Sequence, residues 1–519
     1  MPSDNAPSAS PRLGLPDLPA ADVAHVDVLA ASADALVVNL FEGVTSPGGA
    51  TGAVDAALGG AISRLLAGGD VTGKLGEVTV LYPTAGVSAP RVLITGLGRP
   101  DAFGPEAARR ASAAAALRAA ELGAARLATV VHGAGAGGLA PSDAAQATLE
   151  GALLASYRFG GWRAPSAGPA RRLEQITLVE HDAARLPQLV EGARAAHAVG
   201  RGVAFARDLV NLPPDHATPD YLGRQAQALA ERTGLRVAVH DRAWAEARGM
   251  GAFLAVAEGS SREPRFIELG HREERKDLPL VVLVGKGVTF DSGGLSLKQK
   301  DGMIPMKSDM AGAAAVLGAM LAVAELDLNV RVVALCPCVE NMPDGAAFRP
   351  SDVLVAGTGL SVEVLSTDAE GRLALADALG YARSFAPAAV IDIATLTGAS
   401  VVALGEGVAA SLFATDPTLR ARLETAADAT GERVWPMPLF EEYRAAIESQ
   451  IADLKNSGGA KGGVGTAAAF LQAFTAYPWA HVDMAGMALA NGQKSRPYLP
   501  AGATGYGVRL LVEFLRDWA

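Results

Sequence analysis

The 519-residue chain holds only two cysteines, Cys336 and Cys338. Spaced C-x-C within the apolar run 332–339, they cannot easily bridge each other, and no companion ligands stand nearby to complete a zinc site. They read as small buried hydrophobes, and a chain without a plausible disulfide fits a reducing compartment. Long apolar runs are also missing. No stretch reaches 18 uninterrupted apolar residues, so no bilayer-spanning helix is expected. A basic excess is absent too: 45 Lys and Arg stand against 55 Asp and Glu, for a net charge of −10. That balance argues against nucleic acid as the main partner and leaves DNA binding a secondary reading. The eight histidines show no HExxH spacing, and Ser292 lacks a GxSxG elbow, which sets aside zincin and serine-hydrolase chemistry. His132 and His481 lie in apolar runs and read as satisfied core or edge residues. The amino end lacks a basic segment followed by an apolar one, so no secretory signal is expected and the location is taken as cytoplasmic.

What is present is a chain half apolar and 19% charged, able to bury sizeable cores and too long for one ordinary domain. Residues 1–22, rich in Pro, Ser, Ala and Asp, read as a disordered arm. Apolar runs at 36–40, 78–82, 91–96, 127–132 and 176–180 then alternate with helical patterns at 104–122 and 142–157, with Ser142 as N-cap. This defines a smaller N-terminal α/β domain over 23–190. A helical connection over 191–215 stops at Leu212-Pro213-Pro214. Thr218-Pro219 then opens a new helix through about residue 232. The larger domain, 216–519, repeats the rhythm with strands at 279–285, 330–335 and 389–394 and helices at 311–325 and 373–384. Its uninterrupted Val/Ile/Leu strands predict an α/β/α arrangement around a central, mostly parallel or mixed sheet.

Charged residues gather where these strands end. Lys286 and Asp291 flank a glycine-rich turn after the strand at 279–285, where open α/β sheets place their ligands. As solvated loop charges they would be unremarkable alone. Asp309 precedes the helix at 311–325 and reads equally as a carboxylate favourable at a helix start. Asp368 and Glu370, two residues apart in Ser366-Thr367-Asp368-Ala369-Glu370-Gly371-Arg372-Leu373, can point to one side. Capping would explain Asp368 but not Glu370 and Arg372 together with it. Four carboxylates in one crevice repel unless cations neutralise them. An oxygen-rich set without histidine suits Mg²⁺, Mn²⁺ or Zn²⁺, and a lysine beside such ions can lose its proton and become a nitrogen ligand. The pattern points to a metal-dependent hydrolase. Phosphoester hydrolysis is the competing reading.

These blocks resemble the leucyl aminopeptidase family, the M17 cytosol aminopeptidases. The likeness rests on 284–294, 306–309 and 367–373, and extends through 207–214, 340–343, 392–398 and 501–508. It implies two divalent metal ions per subunit, Mn²⁺ or Zn²⁺, with Mg²⁺ or Co²⁺ as alternatives in the exchangeable site. Asp291, Asp368 and Glu370 would hold the exchangeable ion, and Lys286, Asp291, Asp309 and Glu370 the other. Lys298 would be the electrophile near the scissile carbonyl, and Arg372 would bind a bicarbonate serving as general base. Met306, Thr395, Leu396 and Gly398 would line the substrate site, with Ser366 standing where the family usually has Asn. The resemblance further implies peptide substrates, leucine-like N-terminal residues, and a homohexamer built as a dimer of trimers.

Two glycine-rich stretches compete for attention. Residues 68–75 nearly spell a P-loop but end in Leu75, which removes the magnesium-binding hydroxyl. Residues 133–138 satisfy GxGxxG after a strand, yet Pro141 breaks any helix starting directly at the loop. A dinucleotide fingerprint is not expected there.

Overall fold

The computed structural model describes residues 18–161, 172–492 and 495–518, so most of the arm read over 1–22 lies outside the described residues. The end of that stretch is ordered: Ala20–His25 is a strand, paired in parallel with Gln175–Glu180. It escaped the sequence reading because its alanines and aspartate carry little strand propensity. The pairing is supplied by a partner over 150 residues away.

The small domain is built on a six-stranded sheet in the order Ala20–His25, Gln175–Glu180, Arg126–Val130, Ala35–Leu40, Val92–Gly96, Val78–Leu81. All neighbours are parallel except the last pair. The helix expected from Ser142 instead begins at Pro141, with Ala140 at the N-cap. Proline at the first helical position needs no amide partner, so the start moves one residue upstream of the hydroxyl. Buried His132 follows the strand Arg126–Val130. Its Nδ1 lies 2.9 Å from Asn39 Nδ2, and its Nε2 has no partner. Burial holds this imidazole down to about 4. The unfolded chain, titrating near 6.5, therefore takes up a proton that the folded chain refuses. This contribution to stability is complete above about pH 6.5 and lost as pH falls toward 4, reaching about 3 kcal/mol. In denaturant titrations at pH 7.5 and 4.5, His132→Gln is expected to lose less stability than the wild type. Equal losses would refute the assignment.

The helix Leu186–Asn211 leads to the larger domain and is buried along most of its 26 residues. It packs against Pro141–Ser156 of the first domain and Ala311–Leu326 of the second. Arg207, fully buried, donates to the carbonyl oxygens of Leu154, Tyr498 and Thr504, at 2.9 Å each. Arg109 crosses the same junction, reaching Glu150 at 2.8 Å, Glu106 at 3.0 Å and the Thr430 carbonyl at 3.1 Å.

The nine-stranded sheet of the larger domain is mixed. Trp479–Asp483, Ala389–Ala394, Leu280–Gly285 and Arg331–Asn341 run parallel at its centre, and Arg265–His271 and Arg236–His240 continue it antiparallel on one side. Cys336 and Cys338 are free and buried within Arg331–Asn341. Among the described residues, the helical stretch 300–326 is long and apolar enough to cross a membrane, but 83% of its most apolar window is packed inside the fold.

Candidate metal centre

The carboxyl ends of the central strands deliver the site. Lys286 directly follows Leu280–Gly285, and its amide donates to the Ile393 carbonyl at 3.1 Å, joining it to the end of Ala389–Ala394. Asp291, read from sequence as a loop residue, ends the short strand Gly287–Asp291, which pairs irregularly with Arg331–Asn341 and sets Asp291 opposite Asn341. Asp309 precedes the helix Ala311–Leu326, and Met310 occupies the N-cap without a side-chain bond. Glu370 is the N-cap of Gly371–Ala382 and likewise makes no capping bond. Neither carboxylate is spent on a helix start.

They turn inward instead. Asp291, Asp309 and Glu370 are buried, and each offers an oxygen within 4.8 Å of the others. Lys286 Nζ lies 2.7 Å from both Asp309 oxygens, 3.0 Å from Glu370 Oε1 and 2.9 Å from the Thr395 carbonyl. Lys298 Nζ stands between Asp291 at 2.8 Å and Asp368 at 2.5 Å. Asp368 is more exposed and joins the buried triad only through this lysine. Room for Lys286 comes from Gly371, where any Cβ would collide with the lysine stem. Gly293 adopts φ +87°, and a Cβ there would press on Asp368 Oδ1.

Two ammonium groups face four carboxylates, so the crevice keeps an excess of negative charge. Burial, reinforced by Glu370, pushes Asp291 up to about 6 against the pull of both lysines. Burial also lifts Asp309 well above the usual carboxylate range despite Lys286. For Glu370 burial acts upward, but Lys286 and Lys298 outweigh it and hold the group down at about 2. Burial disfavours the charged lysines, yet the surrounding carboxylates keep both above the ordinary value. Asp309 Oδ2, although 2.7 Å from the Lys286 ammonium, accepts no well-aligned hydrogen bond. A converging oxygen set, surplus negative charge and an under-used buried oxygen are what divalent cations satisfy. The residues fit the metals.

Around them lie the other residues singled out in the sequence. Thr395 Oγ1 donates to Asp309 Oδ1 at 2.8 Å. Leu396 is partly buried against the core of the larger domain, and Gly398 starts a helix with open space where a Cβ would be. Met306 sits in the turn Ile304–Ser308 just before Asp309. Ser366 Oγ accepts from the Asp368 amide at 3.2 Å, so the serine orients the segment that carries Asp368. Arg372 is buried: its Nη1 donates to the Asn456 carbonyl at 2.8 Å, while its Nε has no partner. A buried guanidinium with an idle N–H fits a small oxyanion.

Three supporting residues escaped the sequence reading. Asn341 donates to Asp291 Oδ1 at 2.8 Å and to the Thr367 carbonyl at 3.0 Å. Asn456 accepts from the Leu365 amide and donates to the Ser366 carbonyl, fixing the Asp368–Glu370 segment. Asp483, fully buried, accepts from the Leu396 and Thr397 amides and from Thr397 Oγ1 at 2.7 Å, and so shapes the loop beside Lys286. Asn341 lies inside a block that carried the resemblance. The other two have no local signal.

The chain resembles known proteins along most of its length. Residues 204–512 match the cytosol aminopeptidase family catalytic domain and residues 37–166 its N-terminal domain. A probable cytosol aminopeptidase of Roseiflexus castenholzii is 44% identical over 494 residues, covering 95% of this chain and 98% of that protein. One from Geobacter sulfurreducens is 44% identical over 89% of this chain and 92% of its own length. Among solved structures, a mutant of tomato leucine aminopeptidase superposes with TM-score 0.85 at 32% identity, covering 97% of this chain and 98% of that one. The bottromycin maturation enzyme BotP in complex with Mn gives TM-score 0.81 at 34% identity, covering 94% and 99%. With both domains matched over most of its length, the chain belongs to the cytosol aminopeptidase family, a family of metal-dependent aminopeptidases.

Proposed function

We propose that this protein releases N-terminal residues, preferentially leucine-like ones, from peptides. The observation that carries the reading is the buried triad Asp291, Asp309 and Glu370 gathered around Lys286 at the ends of the central strands. Lys286, Asp291, Asp309 and Glu370 would hold one divalent ion, and Asp291, Asp368 and Glu370 a second, exchangeable one. Mn²⁺ or Zn²⁺ suits these donors, with Mg²⁺ or Co²⁺ as alternatives in the exchangeable position, and Mn²⁺ accompanies the BotP relative. When bound, such a pair would supply Lewis acidity to the attacking water and to the substrate carbonyl.

The chain does the rest by position. Lys298, kept charged by Asp291 and Glu370, offers an ammonium to the developing oxyanion. Arg372 would hold bicarbonate through its idle Nε, and that ion would supply the basicity which no histidine in the motif blocks offers. Thr395, Leu396, Gly398 and Met306 would bound the substrate, with Ser366 fixing the approach to Asp368. The two free, buried cysteines support a reducing, cytoplasmic setting. A homohexamer belongs to the same reading, and exposed apolar side chains such as Ile304, Val402, Trp435 and Ile451 are available for contacts between copies.

The deciding experiment is hydrolysis of leucine p-nitroanilide before and after chelation. Activity should vanish with the chelator and return with Mn²⁺, Zn²⁺, Co²⁺ or Mg²⁺. A folded, metal-loaded protein inactive with every ion would overturn the reading.

A further inference from the structure

A cavity of about 720 Å³ opens in the small domain and shares no residue with the metal centre. Its position follows from topology. After Ala35–Leu40 the chain adds Val92–Gly96 on one side, and Arg126–Val130 then takes the other side. The strand order thus reverses between Ala35–Leu40 and Arg126–Val130, and ligands of open parallel sheets bind at the carboxyl ends of such a pair. The cavity lies there, floored by Asn39, Leu40, Val130 and Val131. Its size is that of an ordinary small-molecule site.

Two stretches of backbone rim it. One is the glycine-rich loop after Arg126–Val130, closed only by Gly138 N to Gly135 O at 3.2 Å and Leu139 N to Gly133 O at 3.1 Å. The amides of Ala134, Gly135, Ala136 and Gly137 find no acceptor among the described residues. The other is the first turn of the helix Gly49–Ala57, where Gly49, Ala50 and Thr51 line the cavity. A Cβ placed on Gly48, Gly49 or Gly135 would meet nothing within 4 Å, so this backbone is bare toward the opening. The near-P-loop at 68–75 behaves differently. Its Thr72 and Gly73 amides are taken by the Glu77 carboxylate at 2.9 and 2.8 Å. One glycine loop is already closed on the chain's own anion, and the other has none.

The remaining walls are of two kinds. Val26, Val28, Phe41 and Val179 are apolar. Asp27 spends one oxygen on the Leu29 amide at 2.8 Å, leaving its other oxygen to accept. Arg185 reaches its acidic neighbours only at 3.6 and 3.8 Å. Beneath the floor, buried His132 has an unpartnered Nε2.

We propose that this cavity binds a phosphorylated nucleoside. The phosphate would lie between the amides of 134–137 and the turn at 49–51, with Arg185 nearby. The flat base would fill the apolar slot and donate to Asp27. Because Pro141, three residues past Gly138, starts the next helix, this is not the strand–loop–helix turn of a dinucleotide fold. Loop amides from one connection and a helix start from another would share the anion.

The test is calorimetric titration of the full-length, metal-loaded protein with ADP, GDP, CDP and UDP, and with adenosine and inorganic phosphate as controls. At least one nucleoside diphosphate should bind 1:1 and at least about tenfold more tightly than inorganic phosphate. Gly135→Leu on one rim, and Gly48→Val on the other should the first fail to fold, would each weaken binding by about tenfold or more and leave leucine p-nitroanilide turnover unchanged. Absence of binding by all four nucleotides would overturn the proposal. So would a nucleotide whose affinity neither variant alters, since it would be held elsewhere, the metal centre included. Phosphate binding as tightly as the nucleotides would overturn the nucleoside assignment.

Discussion

Glu370→Ala is expected to reduce leucine p-nitroanilide hydrolysis by about 10³-fold or more, the scale of losing several kcal/mol of transition-state stabilisation. Glu370 is buried, spends nothing on helix capping, and is held ionised by Lys286 and Lys298. Alanine would leave the Lys286 ammonium without one of its two carboxylate partners and remove an oxygen from the triad. Metal binding should fall with activity, which equilibrium dialysis followed by elemental analysis would measure. An active Glu370→Ala protein retaining two ions would sink the ligand assignment.

Arg372→Ala should act differently. The guanidinium touches none of the triad oxygens, and its fixed contact is the Asn456 carbonyl. Loss of the anion it would hold is expected to lower kcat by about 10²-fold, within the usual range for a general base, while both metals stay bound. Added bicarbonate should then no longer stimulate the variant, whereas it should stimulate wild-type protein prepared without it. Metal loss in Arg372→Ala, or unchanged turnover, would each contradict the role. Arg372→Lys is not a mild replacement, because an ammonium cannot reproduce the planar fork of donors.

The sequence carried the parts of this site that sit on strong local patterns. Ala389–Ala394 and Leu280–Gly285 are uninterrupted aliphatic runs, legible as buried strands, and Lys286 follows directly from the second. Glu370 and Asp368 stood out through their spacing. Less was visible where structure depends on distant partners. Gly287–Asp291 read as loop because glycines and a short span hide a strand that forms only by pairing with Arg331–Asn341. Ala20–His25 is a strand only because Gln175–Glu180 lies beside it. Asn456 and Asp483 hold their loops through hydrogen bonds spanning more than 80 residues. No local period or motif encodes such bonds. The cavity of the small domain was half visible, as a glycine pattern whose open amides only the fold reveals.

The helix Leu186–Asn211 is a rod of roughly 39 Å at 1.5 Å per residue. It starts beneath the small domain, and at its far end the Asn211 carbonyl accepts from Lys307 Nζ at 2.8 Å. Lys307 lies between Met306 and Asp309. Arg207 ties this end of the rod to carbonyls from both domains. The small domain and the metal centre are thus joined by one unbroken helix, packed at one end on Pro141–Ser156 and bonded at the other to the lysine two residues before Asp309.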